Sequence, residues 1–372
     1  MNKIKVMTVF GTRPEAIKMA PLVKKLEEKD EFESIVCVTA QHREMLDSVL
    51  NLFHINPKYD LNIMKHGQTI TDITNRVLKG LEEVLQSEKP DILLVHGDTT
   101  TTFAASLAAF YNKIPVGHVE AGLRSNNIYS PYPEEMNRKL TSNIALFHFA
   151  PTTGNKENLL KENVNERNIF ITGNTVIDAL LSVVKEDYKF NNNLDNIDFK
   201  NKKVVLLTCH RRENWGEPME NIFRAVKKLA LKNSDIEVVF PMHMNPIIRE
   251  TAKSIMEGVD NIHLIEPLDY EPFANLMNKS YIIMTDSGGI QEEAPGLGKP
   301  VVVLRTETER PEAVEAKTVR VAGVKEDDIF NITNELINNK DEYLKMSKAI
   351  NPYGDGKSSE RIAHHILQYF YK

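Results

Sequence analysis

The sequence predicts an α/β protein built of two successive open parallel sheets, and three observations carry that prediction. Short, continuously apolar runs alternate with amphipathic stretches along the whole chain, the pattern of strands covered by helices on both faces rather than the strict alternation of a half-exposed sheet. The chain is 372 residues long, beyond the size at which a single hydrophobic core usually stops growing. Between Asp187 and Lys203 it becomes rich in Asn, Asp and Lys, with little to bury, so a polar junction is expected there.

Before that junction the expected strands are Lys5–Phe10, Ser34–Thr39, Asp91–His96, Pro115–Val119 and Leu146–Ala150. After it they are Val204–Thr208, Glu237–Phe240, Ile262–Ile265, Tyr281–Thr285 and Pro300–Leu304. The stretch Ile4 to Phe10 runs straight into Gly-Thr-Arg-Pro without a small-residue cleavage site, so it reads as a buried strand and not as a signal segment. No run approaches the roughly 20 apolar residues of a membrane span, and a cytoplasmic protein is the expectation. The turn cluster Asn351-Pro-Tyr-Gly-Asp-Gly-Lys-Ser precedes a last helix over Ser359–Phe370.

A net charge of -6 leaves no global positive field for a nucleic-acid backbone or an anionic membrane; an anionic ligand must be met by local cations. Cys37 and Cys209 each end an apolar run, as buried reduced thiols do, and form neither a disulfide framework nor a metal knuckle.

In an open parallel sheet, ligands gather at the carboxyl ends of the strands. The first strand ends in Gly11-Thr-Arg-Pro-Glu-Ala-Ile-Lys18, where Gly11 permits a tight turn, Pro14 suits the first turn of a helix, and Arg13 and Lys18 place cations near its positive end, a favourable anion site. G-x-G-x-x-G spacing is absent, so a nicotinamide cofactor has no support. Asp98 and Glu120 stand at the tips of the next strands. Asp98, before a Thr run, could serve as a helix cap; Glu120, in an apolar and glycine-rich setting, is expected to have a raised pKa suited to acid–base work. Glu134, in Pro131-Tyr-Pro-Glu-Glu-Met-Asn-Arg138, is a third carboxylate candidate.

In the second half, His210 lies in the polar cluster Cys209-His-Arg-Arg-Glu-Asn214 directly after a buried strand. The sharpest signal is Thr285-Asp-Ser-Gly-Gly-Ile-Gln-Glu-Glu-Ala294: a strand turns through Ser287, Gly288 and Gly289 into a helix, leaving backbone amides free for a phosphate. Glu293, one turn further in, suits ribose or sugar hydroxyls, Arg310 is a natural phosphate cation, and Phe273 offers a wall for a base. Together these residues describe diphosphate recognition from both halves, with the carboxylates confined to the first.

These segments, with Val38-Thr-Ala-Gln-His-Arg43, Thr172-Gly-Asn-Thr-Val-Ile-Asp178 and Glu309-Arg-Pro-Glu-Ala313, match in order the motifs of the non-hydrolysing UDP-N-acetylglucosamine 2-epimerases, and the resemblance spans essentially the whole chain. It implies two Rossmann-like domains of the GT-B type: residues 1–172 with the catalytic carboxylates, residues 173–355 binding UDP, and a C-terminal helix, 356–372, packing back on the first domain, with the active site in the interdomain cleft. It also implies a homodimer, no cofactor and no metal, and UDP-GlcNAc and UDP-ManNAc as ligands. Arg13, Lys18, Asp98, Glu120, His210, Phe273, Ser287, Gly288, Gly289, Glu293 and Arg310 match substrate-binding positions; Asp98, Glu120, Glu134 and His210 match catalytic ones. Gln41, His42, Glu134, Arg211 and His243 resemble the site of an activating second UDP-GlcNAc in some members, although Gly67 stands where activated members carry arginine.

The implied reaction expels UDP from C1, removes the C2 proton to give 2-acetamidoglucal, and re-adds UDP with protonation on the opposite face. Its product would supply N-acetylmannosamine for a surface polymer such as teichoic acid or capsule. A UDP-sugar transferase, a hydrolysing epimerase and a catalytically silent sugar-nucleotide sensor are the competing readings of the same layout.

Overall fold

The computed structural model describes residues 3–40, 43–190, 194–195 and 197–371, and these form two compact units. Unit 1 comprises Met1–Ser182 and Tyr353–Lys372; unit 2 comprises Val183–Pro352. Among the described residues no helix is long and apolar enough to cross a membrane.

Unit 1 is built on seven strands: β1 (Ile4–Phe10), β2 (Phe32–Val38), β3 (Tyr59–Asp60), β4 (Ile92–His96), β5 (Val116–Val119), β6 (Phe147–Ala150) and β7 (Ile169–Ile171). They are parallel in the order β3-β2-β1-β4-β5-β6-β7. Strands β1, β4 and β5 are buried almost throughout, which is why their sequences are continuously apolar. The chain order reverses between β1 and β4, and such a switch point opens a crevice at the carboxyl ends of the strands.

Unit 2 repeats the plan with β8 (Lys203–Thr208), β9 (Ile236–Pro241), β10 (Ile262–Ile265), β11 (Ile282–Thr285), β12 (Val301–Val303) and β13 (Val319–Val321). These are parallel in the order β10-β9-β8-β11-β12-β13, with the switch point between β8 and β11. Its core joins Leu207, Phe223, Phe240, Met284 and Leu336, all 0% exposed.

The last helix, Ser358–Phe370, belongs to unit 1. Asp178 caps it, accepting the amides of Ser358 at 3.2 Å and Ser359 at 2.8 Å, and His365 stacks on Phe170 of β7 at 4.2 Å. Cys37 and Cys209 are free and buried; burial pushes the Cys37 thiol up to about 12, with Asp60 adding to it.

Candidate active site

The loop after β1 is held by a carboxylate that sequence reasoning passed over. Thr12 and Glu15 form a capping box at the start of the helix Arg13–Glu27. Glu15 Oε2 accepts the amides of Gly11 at 3.0 Å and Thr12 at 2.8 Å and the Thr12 hydroxyl at 2.8 Å; Oε1 accepts Thr99 Oγ1 at 2.6 Å and Thr102 Oγ1 at 3.2 Å. The Gly11 and Thr12 amides are thus taken by an internal anion. Gly11 is also required by close approach, because a Cβ there would meet Thr39 Oγ1 at 2.0 Å. Arg13 is half-buried just past the cap.

Glu120 ends the β5 segment at φ +62, a conformation that costs a non-glycine residue about 1 kcal/mol or more and is tolerated mainly where function needs it. Its Oε2 accepts from Lys18 Nζ and from Asn174 Nδ2 at 3.0 Å, and lies 3.4 Å from His96 Nε2. The expected raised pKa is not what results. Burial does push the carboxyl upward, but Lys18 and His96 outweigh it and hold the group well below the usual carboxylate range. Lys18 is 102 residues away in sequence, so only the topology reveals this pairing.

Asp98 does not cap the following helix, Thr100–Tyr111; Thr99 does, accepting the Thr102 amide at 3.1 Å. Asp98 Oδ2 instead accepts two bonds from Arg138, from Nε at 2.9 Å and Nη2 at 2.6 Å, while Asn137 Nδ2 donates to the Asp98 carbonyl at 2.9 Å. Arg138 also donates from Nη1 to Glu135 at 2.9 Å, and Glu135 accepts the amides of Ser125 and Asn126. The helix Glu134–Ile144 therefore binds the loop after β4 to the loop after β5. Glu134 opens that helix with a buried Oε2 that has no hydrogen-bond partner among the described residues. His118 joins the same two strand tips: its Nε2 lies 2.7 Å from the Gly97 carbonyl.

In unit 2 the organising group is Asp286, fully buried. Its Oδ2 accepts the amides of His210 and Arg211, each at 2.8 Å, and Asn214 Nδ2 at 3.1 Å, while Oδ1 lies 3.3 Å from His210 Nδ1. The His210 side chain, 40% exposed, stacks against His243 with ring centroids 6.0 Å apart. Burial, with His243 and Arg211, lowers the His210 pKa against the upward pull of Asp286.

Ser287 begins the helix Gly288–Gly296 without a side-chain cap, the opposite of the Glu15-filled helix end in unit 1. Two guanidinium groups stand over this open end: a Cβ on Gly288 would lie 3.6 Å from Arg310 Nη2 and 3.8 Å from Arg211 Nη2. Glu293 Oε1 would lie 3.6 Å from a Cβ on Gly289. Arg310 is steadied by Glu292, and Thr308 Oγ1 donates to Gln291 at 2.5 Å, holding the loop after β12 to the helix. Uncapped amides and two guanidinium groups make this end a candidate diphosphate cradle. Arg211 and His243, matched in sequence to a second-ligand site, thus adjoin this cradle. Phe273 lies half-buried on the helix Tyr270–Lys279. Gly67 has φ +72, and Gln41 and His42 lie outside the described residues.

Comparison with known proteins shows the family. The profile of the family described as "UDP-N-acetylglucosamine 2-epimerase" matches residues 24–367. The chain is 57% identical over 370 residues to the UDP-N-acetylglucosamine 2-epimerase of Bacillus subtilis, covering 100% of this chain and 97% of the relative. A crystal structure of a UDP-N-acetylglucosamine 2-epimerase superposes with a TM-score of 0.93 at 55% identity, covering 100% of this chain and 98% of the other. The Neisseria meningitidis UDP-GlcNAc 2-epimerase bound to UDP-GlcNAc matches with a TM-score of 0.86 at 52% identity, covering 98% of this chain and 100% of that one.

Proposed function

We propose that this chain, which belongs to the UDP-N-acetylglucosamine 2-epimerase family and acts as its isomerase, inverts C2 of UDP-GlcNAc by eliminating and re-adding UDP. The observation that carries the reading is the division of labour between the units: an uncapped helix end under Arg211 and Arg310 in unit 2, and an ionised, Lys18-bound Glu120 with an Arg138-bound Asp98 in unit 1.

The C2 proton of the sugar is not adjacent to a carbonyl, so direct abstraction would leave an unstabilised carbanion. Breaking the C1–O bond first sends the electron pair to UDP and leaves an oxocarbenium-like centre. Fixed carboxylates stabilise that charge in a preorganised setting, and one of them accepts the C2 proton as the C1=C2 bond of 2-acetamidoglucal forms. UDP must stay bound for the return step. Ser287, Gly288, Gly289, Arg211 and Arg310 hold its phosphates, Arg13 adds a cation, Phe273 walls the base, and Glu293 takes ribose or sugar hydroxyls. Re-addition of UDP at C1 with proton delivery to the other face of C2, by Glu120, Asp98, Glu134 or His210, gives UDP-ManNAc.

Isotope position tests the order of bond cleavage. With oxygen-18 in the C1–O–P bridge of UDP-GlcNAc, label appearing in a non-bridging β-phosphate position shows that the C1–O bond breaks while UDP stays bound; epimerisation that never admits solvent deuterium at C2 rules the route out.

Exposed Phe110 and Tyr111, 60% and 69% accessible, beside a groove lined by Ile114, Ile144 and Leu146, support a homodimer; mass in solution checks it, with Phe110→Glu expected to shift it towards monomer. Arg211 and His243 would let a second UDP-GlcNAc act on the first, seen as activation of the reverse reaction by added UDP-GlcNAc and refuted by hyperbolic kinetics without it. Supply of N-acetylmannosamine to a surface polymer such as teichoic acid or capsule, from the cytoplasm, rests on the resemblance alone and is tested by analysing that polymer after deletion of the gene.

A further inference from the structure

We infer that Asp286 is the positioning residue of His210, fixing its imidazole as the Nδ1–H tautomer so that Nε2 is the working nitrogen presented at the diphosphate cradle. The inference rests on the proposed role of His210 and adds what sets its chemistry.

One carboxylate holds His210 twice. Oδ2 accepts the His210 amide at 2.8 Å, and Oδ1 faces Nδ1 of the same residue at 3.3 Å. The Oδ2 atom is fully occupied by the further bonds from the Arg211 amide and Asn214 Nδ2, which prevents the carboxylate from rotating. Asn214 is itself anchored, donating to the Leu304 carbonyl at 3.1 Å. Oδ1 is buried and makes no hydrogen bond among the described residues; His210 Nδ1, at 3.3 Å, is at ion-pair distance, and a small turn of the ring would let Nδ1–H supply the donor this atom asks for. A neutral imidazole offers one N–H, and at this site the N–H belongs on Nδ1, where an acceptor waits. The other nitrogen is then a lone-pair acceptor, able to take a proton from a protonated β-phosphate oxygen as that oxygen re-forms its bond to C1 and, as the imidazolium, to give the same proton back when the oxygen departs. The same logic of a buried carboxylate choosing a tautomer governs hydrolase triads.

His243, after β9, meets the ring face to face. The Cys209 thiol also interacts with Asp286 and is kept neutral, its pKa raised well above its usual value by burial and by Asp286; an S–H is a weak donor, so the imidazole N–H is the stronger partner for Oδ1.

The test is two-bond proton–nitrogen correlation spectroscopy on nitrogen-15 histidine-labelled full-length protein at pH about 8, the His210 signals being assigned by their loss in His210→Gln. The wild type is expected to show a protonated Nδ1 and an unprotonated Nε2. Asp286→Asn presents an amide donor to Nδ1, so the pattern should reverse, and kcat should fall about 10²- to 10⁴-fold while UDP affinity falls less than about tenfold. An Nε2–H tautomer in the wild type overturns the inference without any variant having to fold. An unchanged tautomer and kcat in a folded Asp286→Asn overturns it too. If the wild-type protein shows the expected tautomer but does not epimerise UDP-GlcNAc, the functional reading fails and the positioning of His210 stands.

Discussion

Glu15 Oε1 accepts the Thr99 hydroxyl at 2.6 Å, tying the loop after β1 to the loop after β4 across the switch point of unit 1. Because the other oxygen satisfies the Gly11 and Thr12 amides, one buried carboxylate serves both as a helix cap and as a strut between two ligand-bearing loops.

Glu15→Ala leaves those donors buried without an acceptor, a loss of about 2–4 kcal/mol. Unit 1 should unfold at clearly lower urea, while UDP affinity, carried in this proposal mainly by Arg211, Arg310 and the Ser287–Gly289 turn, falls by no more than about tenfold. An unchanged midpoint would show that the amides find other acceptors.

Asp98→Asn and Glu120→Gln keep shape and remove charge. If these carboxylates act on the reacting sugar, kcat falls by about 10² or more and UDP affinity changes little. Steady-state kinetics beside UDP titration separates the outcomes: loss of binding alone contradicts the assigned roles.

Gly288→Ala tests the cradle. The added Cβ stands at ordinary contact distance from Arg310 and Arg211, 3.6 and 3.8 Å, so the free protein accommodates it, and removing glycine from a helix stabilises by up to about 1 kcal/mol. The methyl takes space a phosphate oxygen needs. Calorimetry should show an unchanged or slightly raised Tm and UDP affinity reduced about tenfold or more.

Acid should destabilise unit 1 through two buried histidines paired across β5 and β6, His118 and His148. Burial is the main cause lowering the His118 pKa to about 3 and the His148 pKa to about 4. Below the unfolded value near 6.5 the unfolded chain takes up protons that the folded one refuses, so stability is full above about pH 6.5 and is lost as pH falls towards 4 and 3. Thermal melts from pH 7.5 to 4.5 should show falling midpoints, and His118→Asn should flatten the dependence. A slope identical to the wild type would mean that His118 titrates normally.

The strands that bear the candidate site were legible because they are buried on both faces: β4, β5 and β11 each fall within an expected apolar run, and β1 and β8 begin one residue before theirs. Strands β3, β7 and β13 escaped notice. They have two or three residues each, and Tyr59–Asp60, Ile169–Ile171 and Val319–Val321 include exposed or half-exposed positions at sheet edges, too short for a run to register. In the candidate site, the polar groups at strand tips were visible in the sequence, whereas the residues that hold them were not. Arg138 and Asn174 lay in recognised segments without an assigned part, because their partners Asp98 and Glu120 are 40 and 54 residues distant. For Glu15 the signal was present, Thr12-x-x-Glu15 being a capping box. The Glu120 expectation failed for a related reason: burial was legible locally, but the cation that overrides it was not.

The central claim is that the sugar passes through a glycal while UDP remains bound, and solvent hydrogen reports on it most directly. Incubation of the protein with UDP-GlcNAc in deuterated water, followed by proton NMR, should show UDP-ManNAc appearing with deuterium at C2 and no accumulation of free UDP. Epimerisation without deuterium at C2, or UDP building up beside free sugar, would contradict it.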